Sequence, residues 1–409
     1  MLFRSRLILA FATVAGLALL LAGGAVAIVV RDYRTRIAVD HLSDLAIIST
    51  FTARQLEQQQ AGPEAIAIIL AVVPIVGLYS TFVERKLAAY VQDRVGPNRV
   101  GPFGLFQAVA DGIKIFLKEQ VIPDHVYTVL YFLAPSFSLM TAMFALVVMP
   151  FGPVAADYQS GFRFMVAPGI DIGILMMVAI SSLSAYGIIV GGWASNNKYS
   201  IYGAIRSCAQ FISYEIPLGL SILGVIAITG SLNIEKIVDA QSNSLFDWNV
   251  FWQPVALLVF FTSALAETNR LPFDLPECEQ ELVGGFHTEY SGIKFVLFFL
   301  AEYTHIVTVS FLTVLLFFGG WHLPGLPGPS GASTLVLLLG LLVLLAKVCM
   351  VVILIMLLRW ALPRFRFDQL MGLAWKGLIP LALANVVGDR KSTRLNSSHE
   401  WISRMPSSA

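Results

Sequence analysis

The chain has 409 residues, of which 57% are hydrophobic and only 13% charged, and its mean hydropathy is +0.75. Soluble globular domains carry about 25% charged residues, so this composition excludes a water-soluble fold and places the chain in a membrane. A formal net charge of +1 argues against nucleic acid as a partner, because nucleic-acid binders carry a basic stripe that releases counterions from phosphates.

Crossing a hydrocarbon core takes roughly 20 apolar residues per helix. Runs of that kind cover 7–30, 65–82, 128–150, 170–193, 211–230, 250–266, 293–318 and 335–358, whereas a last run, 375–387, reads as too short to span. The expected fold is an all-α polytopic membrane protein with about eight transmembrane helices, an interfacial amphipathic helix and an extra N-terminal apolar segment. Three divisions follow: an extension resembling a signal anchor at 1–62, a membrane domain at 63–388, and an unrelated polar tail at 389–409.

The first division carries Arg4 and Arg6, an apolar run and the triplet Ala25-Val26-Ala27, which together fit a signal peptide or signal anchor. Arg31, Arg34, Arg36 and Arg54 would then lie outside, against the positive-inside trend. The segment reads as a genuine added helix or as a misplaced start. No Met occurs between Met1 and Met140 to offer another one.

Next comes TFVERKLAAYVQDRVGPNRVGPFGLFQAVADGIKIFLKE, beginning where the 65–82 run leaves the membrane. Glu84, Arg85 and Lys86 at a helix end suit, as a lone triplet, an interfacial anchor better than a functional group. The Gly96-Pro97-Asn98 and Gly101-Pro102 turns reverse the chain. Beyond them Phe106, Val109, Ala110, Ile113, Phe116 and Leu117 share one helical face while Asp111, Lys114 and Lys118 share the other. Such a helix lies in the interface, as a plain anchor or where a lipid-soluble ligand arrives.

Hydrocarbon should also exclude Glu215, Glu302, His305 and Lys347, since a central unpartnered charge costs at least about 2.5 kcal/mol. Glu215 sits near a helix start and can reach water; Glu302 and His305, one turn apart, either satisfy each other or serve the function. Lys347 is too central to snorkel and reads as functional. Between two apolar runs, FDLPECEQELVGGFHTEY then crowds Asp274, Glu277, Glu279, Glu281 and Glu289 together with no Lys or Arg. Acids at alternate positions in a confined space raise one another's pKa and so hold and exchange protons. A solvated acidic loop is the plain alternative, but the flanking Pro, Gly and apolar helices favour confinement.

Loops alternate in charge. Twelve Lys and Arg (Arg85, Lys86, Arg94, Arg99, Lys114, Lys118, Lys198, Arg206, Arg270, Arg359, Arg364 and Arg366) stand on the side of the acidic stretch, against Arg163 and Lys236 on the other, so the acidic loop is expected to face the cytoplasm. Cys208, Cys278 and Cys349 are widely spaced with no CxxC pair, so neither a disulfide framework nor an iron–sulfur or zinc site is encoded. The tail RKSTRLNSSHEWISRMPSSA has little to bury, which suits a disordered terminus or a sequencing or cloning scar.

Three ordered stretches, VERKLAAYVQDRVGPNRVGPFGLFQAVADGIKIFLKE, AETNRLPFDLPECEQELVGGFHTEYSG and LRWALPRFRFDQLMGLAWKGLIPL, resemble a family of membrane subunits of respiratory complex I, the family whose mitochondrial member is NADH dehydrogenase subunit 1. The resemblance runs over about 65–387. It implies an eight-helix component of proton-translocating NADH:quinone oxidoreductase in the bacterial inner membrane, at the joint between the redox arm and the membrane arm. It further implies that quinone is the substrate, that this chain binds no cofactor, and that flavin and iron–sulfur clusters sit on partner subunits. Other implied partners are the small membrane subunits and the antiporter-like subunits.

Matched residue by residue, Glu84, Arg85, Lys86, Arg94, Asp111, Arg206, Arg270 and Asp274 correspond to the quinone tunnel. Glu215, Glu267, Glu277, Glu279, Glu281 and Glu289 correspond to the acids that carry the quinone-reduction signal, or protons, toward the antiporter-like subunits, and Lys347 is grouped with this proton relay. The family continues apolar where this chain reads NVVGDRK. Related components of membrane-bound hydrogenases or other dehydrogenases remain an alternative, as does a free-standing ion transporter, although no inverted repeat is evident.

Overall fold

The computed structural model describes residues 63–152, 171–242, 244–323 and 334–388. The expected extension 1–62 and tail 389–409 lie outside them. Among the described residues every regular element is helical. We number the principal helices α1 (Pro63–Val91), α2 (Gln107–Phe116), α3 (Thr128–Val147), α4 (Gly173–Ala194), α5 (Lys198–Thr229), α6 (Pro254–Glu267), α7 (Ile293–Phe317), α8 (Thr334–Ala361) and α9 (Phe367–Gly388). Six of these, α3, α4, α5, α7, α8 and α9, contain stretches long and apolar enough to cross a membrane. The chain is therefore a multi-pass α-helical membrane protein.

Two expectations change. The run 375–387 is not an isolated short stub: the helix starts at Phe367 and continues through a π-turn at Leu373–Leu378 to Gly388, 22 residues in all. Asp368 and Gln369 in its first turn interrupt the apolar run but not the backbone, with Gln369 accepting from the Arg366 N–H at 3.2 Å. The run 250–266 goes the other way. A short helix, Asn249–Trp252, stops before Pro254, which cannot donate to the preceding turn, and α6 restarts there with only 14 residues.

The bundle is organised around α7, which packs against α1, α3, α6 and α8, while α5 lies between α4 and α6. The C-terminal turns of α7, Val314 to Phe317, are completely buried. With no apolar driving force between helices in lipid, close approach and polar links hold such bundles. Gln210 of α5 donates to the carbonyls of Ala266 and Phe273 at 2.7 and 2.8 Å, pinning α5 to the end of α6 and the start of the acidic loop.

Candidate functional site

At the end of the bundle formed by the C-terminal half of α1, the turns after it and the start of α7, a groove of about 890 Å³ opens. That is the size range of small-molecule sites. Its walls include Glu84, Arg85 and Arg94, together with Tyr303 of α7 and Arg359 and Trp360 of α8. Arg85 donates to Asp111 of α2 at 2.6 Å, and Gln107 donates to the other oxygen of Asp111 at 3.0 Å. The amphipathic α2 is thereby tied to the rim of the groove, with Phe103, Phe106, Ile113 and Phe116 exposed. Arg94 is steadied by Gln92 at 2.7 Å. Lys86 does not line the groove and places its ammonium over the Phe82 ring.

Behind the rim lies a buried ionic cluster centred on Arg270. Its guanidinium pairs with Glu84 at 3.0 Å and with Glu302 of α7, and stacks over the Tyr303 ring at 4.1 Å from the centroid. Glu84 also pairs with Arg359 and accepts from the Tyr303 hydroxyl at 2.5 Å. Glu302 and Glu84 hold Arg270 fully charged despite the burial that works against it. Five side chains from α1, α7, α8 and the loop after α6 thus converge where sequence spacing alone would not join them.

The acidic loop packs on α5. Gly203 allows this, since a Cβ there would stand 2.7 Å from the Phe286 nitrogen and 2.9 Å from the Pro276 carbonyl oxygen. Gly285, at φ 58°, closes the loop on itself, because a Cβ would stand 1.7 Å from that same oxygen. The fold confines some of the acids and leaves others in the open. Asp274 is buried and accepts from Arg364 at 2.7 Å, yet burial still lifts its carboxyl above the usual range. Burial, with Glu302 and Asp274 nearby, pushes Glu277 up to about 8, so it holds a proton at neutral pH. His287, 3.8 Å from Glu277, is pushed down to about 4 by burial and stays neutral.

Glu281 behaves oppositely. It is 55% exposed and bonded to Arg206 at 2.5 Å, and that hydrogen bond holds it below the carboxylate range. Arg206 is thus joined to the acid loop and does not line the groove. Glu279 opens a single turn, Glu279–Leu282, and its side chain lies outside the described ones. Glu289 accepts from Asn197 at 2.6 Å, with His125 at 3.9 Å, apart from the other acids.

A narrow cavity of about 30 Å³ lies between the loop and the bundle, lined by Glu267, Glu277, His287, Glu302 and His305 among others. Glu267 is close enough to Glu215 for their charges to interact, with Ser181 and Ser182 beside them, and Glu215 is exposed on the outer face of α5. Lys347 is elsewhere. Its ammonium donates to the carbonyls of Phe318, Gly320 and His322 at 2.8, 2.9 and 2.7 Å and sits over the Trp248 ring. These carbonyls follow the far end of α7, about 24 Å along the helix from Glu302 at 1.5 Å per residue.

From the sequence, Glu302 stays open between two roles, Arg359 and Arg364 count only as loop charges, and Tyr303 does not stand out. For the acid a signal was present: an ionisable residue inside an apolar run requires a partner. For the arginines there was none, since nothing in their local pattern reveals a carboxylate 275 or 90 residues away.

The sequence model of the family described as NADH dehydrogenase matches residues 64–388. Similar curated proteins include the H subunit of NADH-quinone oxidoreductase from Protochlamydia amoebophila, 46% identical over 309 residues, covering 76% of this chain and 90% of the relative. The corresponding H subunit from Leptospira biflexa is 47% identical over 314 residues, 75% of this chain and 87% of the relative. NADH-quinone oxidoreductase subunit 8 of Rhodothermus marinus is 45% identical over 314 residues, with 75% and 89% covered.

Proposed function

The chain belongs to the NADH dehydrogenase family as a relative of the H subunits of NADH-quinone oxidoreductases, and from that membership we propose that it guides quinone to its reduction site and couples the reduction to proton translocation. The groove bounded by Glu84, Arg85 and Arg94 is the quinone path, and the exposed apolar face of α2 is its membrane-side approach. Glu267, Glu277 and Glu302 form the proton-holding group, with Glu215 at its outer margin and Glu279, Glu281 and Glu289 on the loop around it. Electrons come from flavin and iron–sulfur clusters on partner subunits. The acidic loop faces the cytoplasm of a bacterial inner membrane, as the loop charges suggest.

One observation carries this reading. Arg270 pairs at once with Glu84, which lines the groove, and with Glu302, which lines the acid cavity. Quinone reduction takes two electrons and two protons. A change of charge or hydrogen bonding at Glu84 and Tyr303 alters how Arg270 is shared between its two carboxylates, and an opposite charge that moves by an ångström changes a neighbouring carboxyl's proton affinity. Lys347 is separated from this path by about 24 Å of α7 and is consumed by backbone carbonyls; we assign it to holding the end of that helix.

The test is purification of the full-length chain from its native membrane in gentle detergent, with assay of NADH:quinone reductase activity and identification of the partner bands. Recovery with flavin and iron–sulfur subunits active on NADH is expected. Recovery with a hydrogenase replaces the electron donor, and recovery of an active ion transporter without partners overturns the reading.

A further inference from the structure

Two residues that line the buried cavity carry orphaned polar atoms. His305 Nε2 and Asn269 Oδ1 are both buried, both belong to residues that line the cavity, and neither has a protein hydrogen-bond partner. Their residues are 6% and 8% exposed. Leaving such groups unpaired costs about 1–3 kcal/mol each, so something must satisfy them. The cavity, about 30 Å³, has room for about two waters, each occupying roughly 10–15 Å³ by this measure. A water needs two to four polar partners, and the same wall offers the carboxyls of Glu267, Glu277 and Glu302, the His287 ring, and the hydroxyls of Ser138 and Ser184.

His305 stands three residues beyond Glu302 on α7, so the two side chains share a helix face. Glu302 is held by Arg270, which gives its carboxylate a fixed counter-charge. Imidazole can bind a proton at an unpartnered ring nitrogen, and His305, a residue of the cavity wall, has its Nε2 unpartnered.

We propose that this cavity is a water site that makes His305 a proton-carrying member of the acid group. This rests on the function proposed above and adds a residue to it. The step is a transfer between two named groups. A proton leaves the Glu277 carboxyl, crosses the cavity water and binds Nε2, leaving a Glu277 carboxylate and an imidazolium one turn from the Glu302 carboxylate; the reverse transfer resets the pair. Asn269 Oδ1 accepts from the same water and fixes its orientation. His305 touches no quinone.

The experiment uses the assembled complex in proteoliposomes and counts protons translocated per NADH oxidised, with reduction of an artificial hydrophilic acceptor used to normalise for assembled enzyme. His305→Gln keeps an amide to hold the water but cannot carry the proton; His305→Leu removes both functions. Both variants are expected to lower the proton-to-NADH ratio at least about twofold. A normal ratio in His305→Gln overturns the proposal whatever His305→Leu does, because it leaves His305 a structural role only, and His305→Gln decides alone should His305→Leu fail to assemble. Absence of pumping in the unmutated complex would instead remove the function proposed above, whereas intact pumping in the unmutated complex and both variants removes only the part given to His305.

Discussion

Arg270 and Glu84, 186 positions apart in the chain, meet at 3.0 Å with side chains only 7% and 6% exposed. Removing one partner of such a pair strands the other's charge, at a cost of about 3–5 kcal/mol. Here Glu84 serves Arg359 as well. Glu84→Ala is expected to lower the melting temperature of the purified protein more than any exposed charge substitution, measured by differential scanning fluorimetry. An effect no larger than that of Arg85→Ala would show that the cluster is solvated.

Arg85 offers the contrast. Its side chain is 53% exposed and its pair with Asp111 lies at the rim, so losing it should cost stability no more than about 1 kcal/mol. Arg85→Ala is expected to raise the KM for quinone severalfold while reduction of an artificial hydrophilic acceptor changes little. Equal losses in the two assays would take Arg85 out of the quinone path.

Glu277 gives a pH dependence with a definite sign. Folding raises its pKa from 4.5 to about 8, so between those values the folded chain keeps a proton that the unfolded chain releases. Stability must therefore fall as pH rises through that window. His287 acts oppositely, since folding lowers it from 6.5 to about 4, and its contribution rises with pH and is complete above about 6.5. Between pH 6.5 and 8 His287 no longer contributes a slope, and comparison with Glu277→Gln isolates the part due to Glu277. The melting temperature of the unmutated protein should decline by a few degrees more over that interval than that of Glu277→Gln, at roughly 2–4 °C per kcal/mol; parallel curves would mean that Glu277 is already ionised.

Lys347 separates anchoring from relay. Lys347→Met leaves three carbonyls after α7 without their donor, each loss being worth about 1–3 kcal/mol where the group is buried. A lower melting temperature is expected, with protons translocated per NADH unchanged in the complex that does assemble. A normal melting temperature with a reduced ratio would return Lys347 to the proton path.

The membrane character and most helices were legible because length and hydropathy are local properties. The ends were less so. Asp368 and Gln369 hid the first turn of α9, and Pro254 cut a run whose composition alone looked continuous. Within the site, the crowding of Asp274, Glu277 and Glu281 was visible, but their different states were not. Glu281 meets Arg206 in the open, while Glu277 is enclosed beside Glu302, a distinction made by tertiary packing. Glu302 and His305, one turn apart, read either as a mutually satisfied pair or as functional residues; the structure gives Glu302 to Arg270 and leaves His305 Nε2 without a protein partner.

Coupling of quinone reduction to proton movement through the buried acids behind the groove is decided by one number: the protons translocated per NADH oxidised by the assembled complex carrying Glu277→Gln in proteoliposomes. If the acids are the link, this complex assembles and still oxidises NADH with an artificial acceptor, but translocates at most about half the protons per NADH during quinone reduction. An assembled complex with normal quinone reduction and a normal proton ratio would contradict that role.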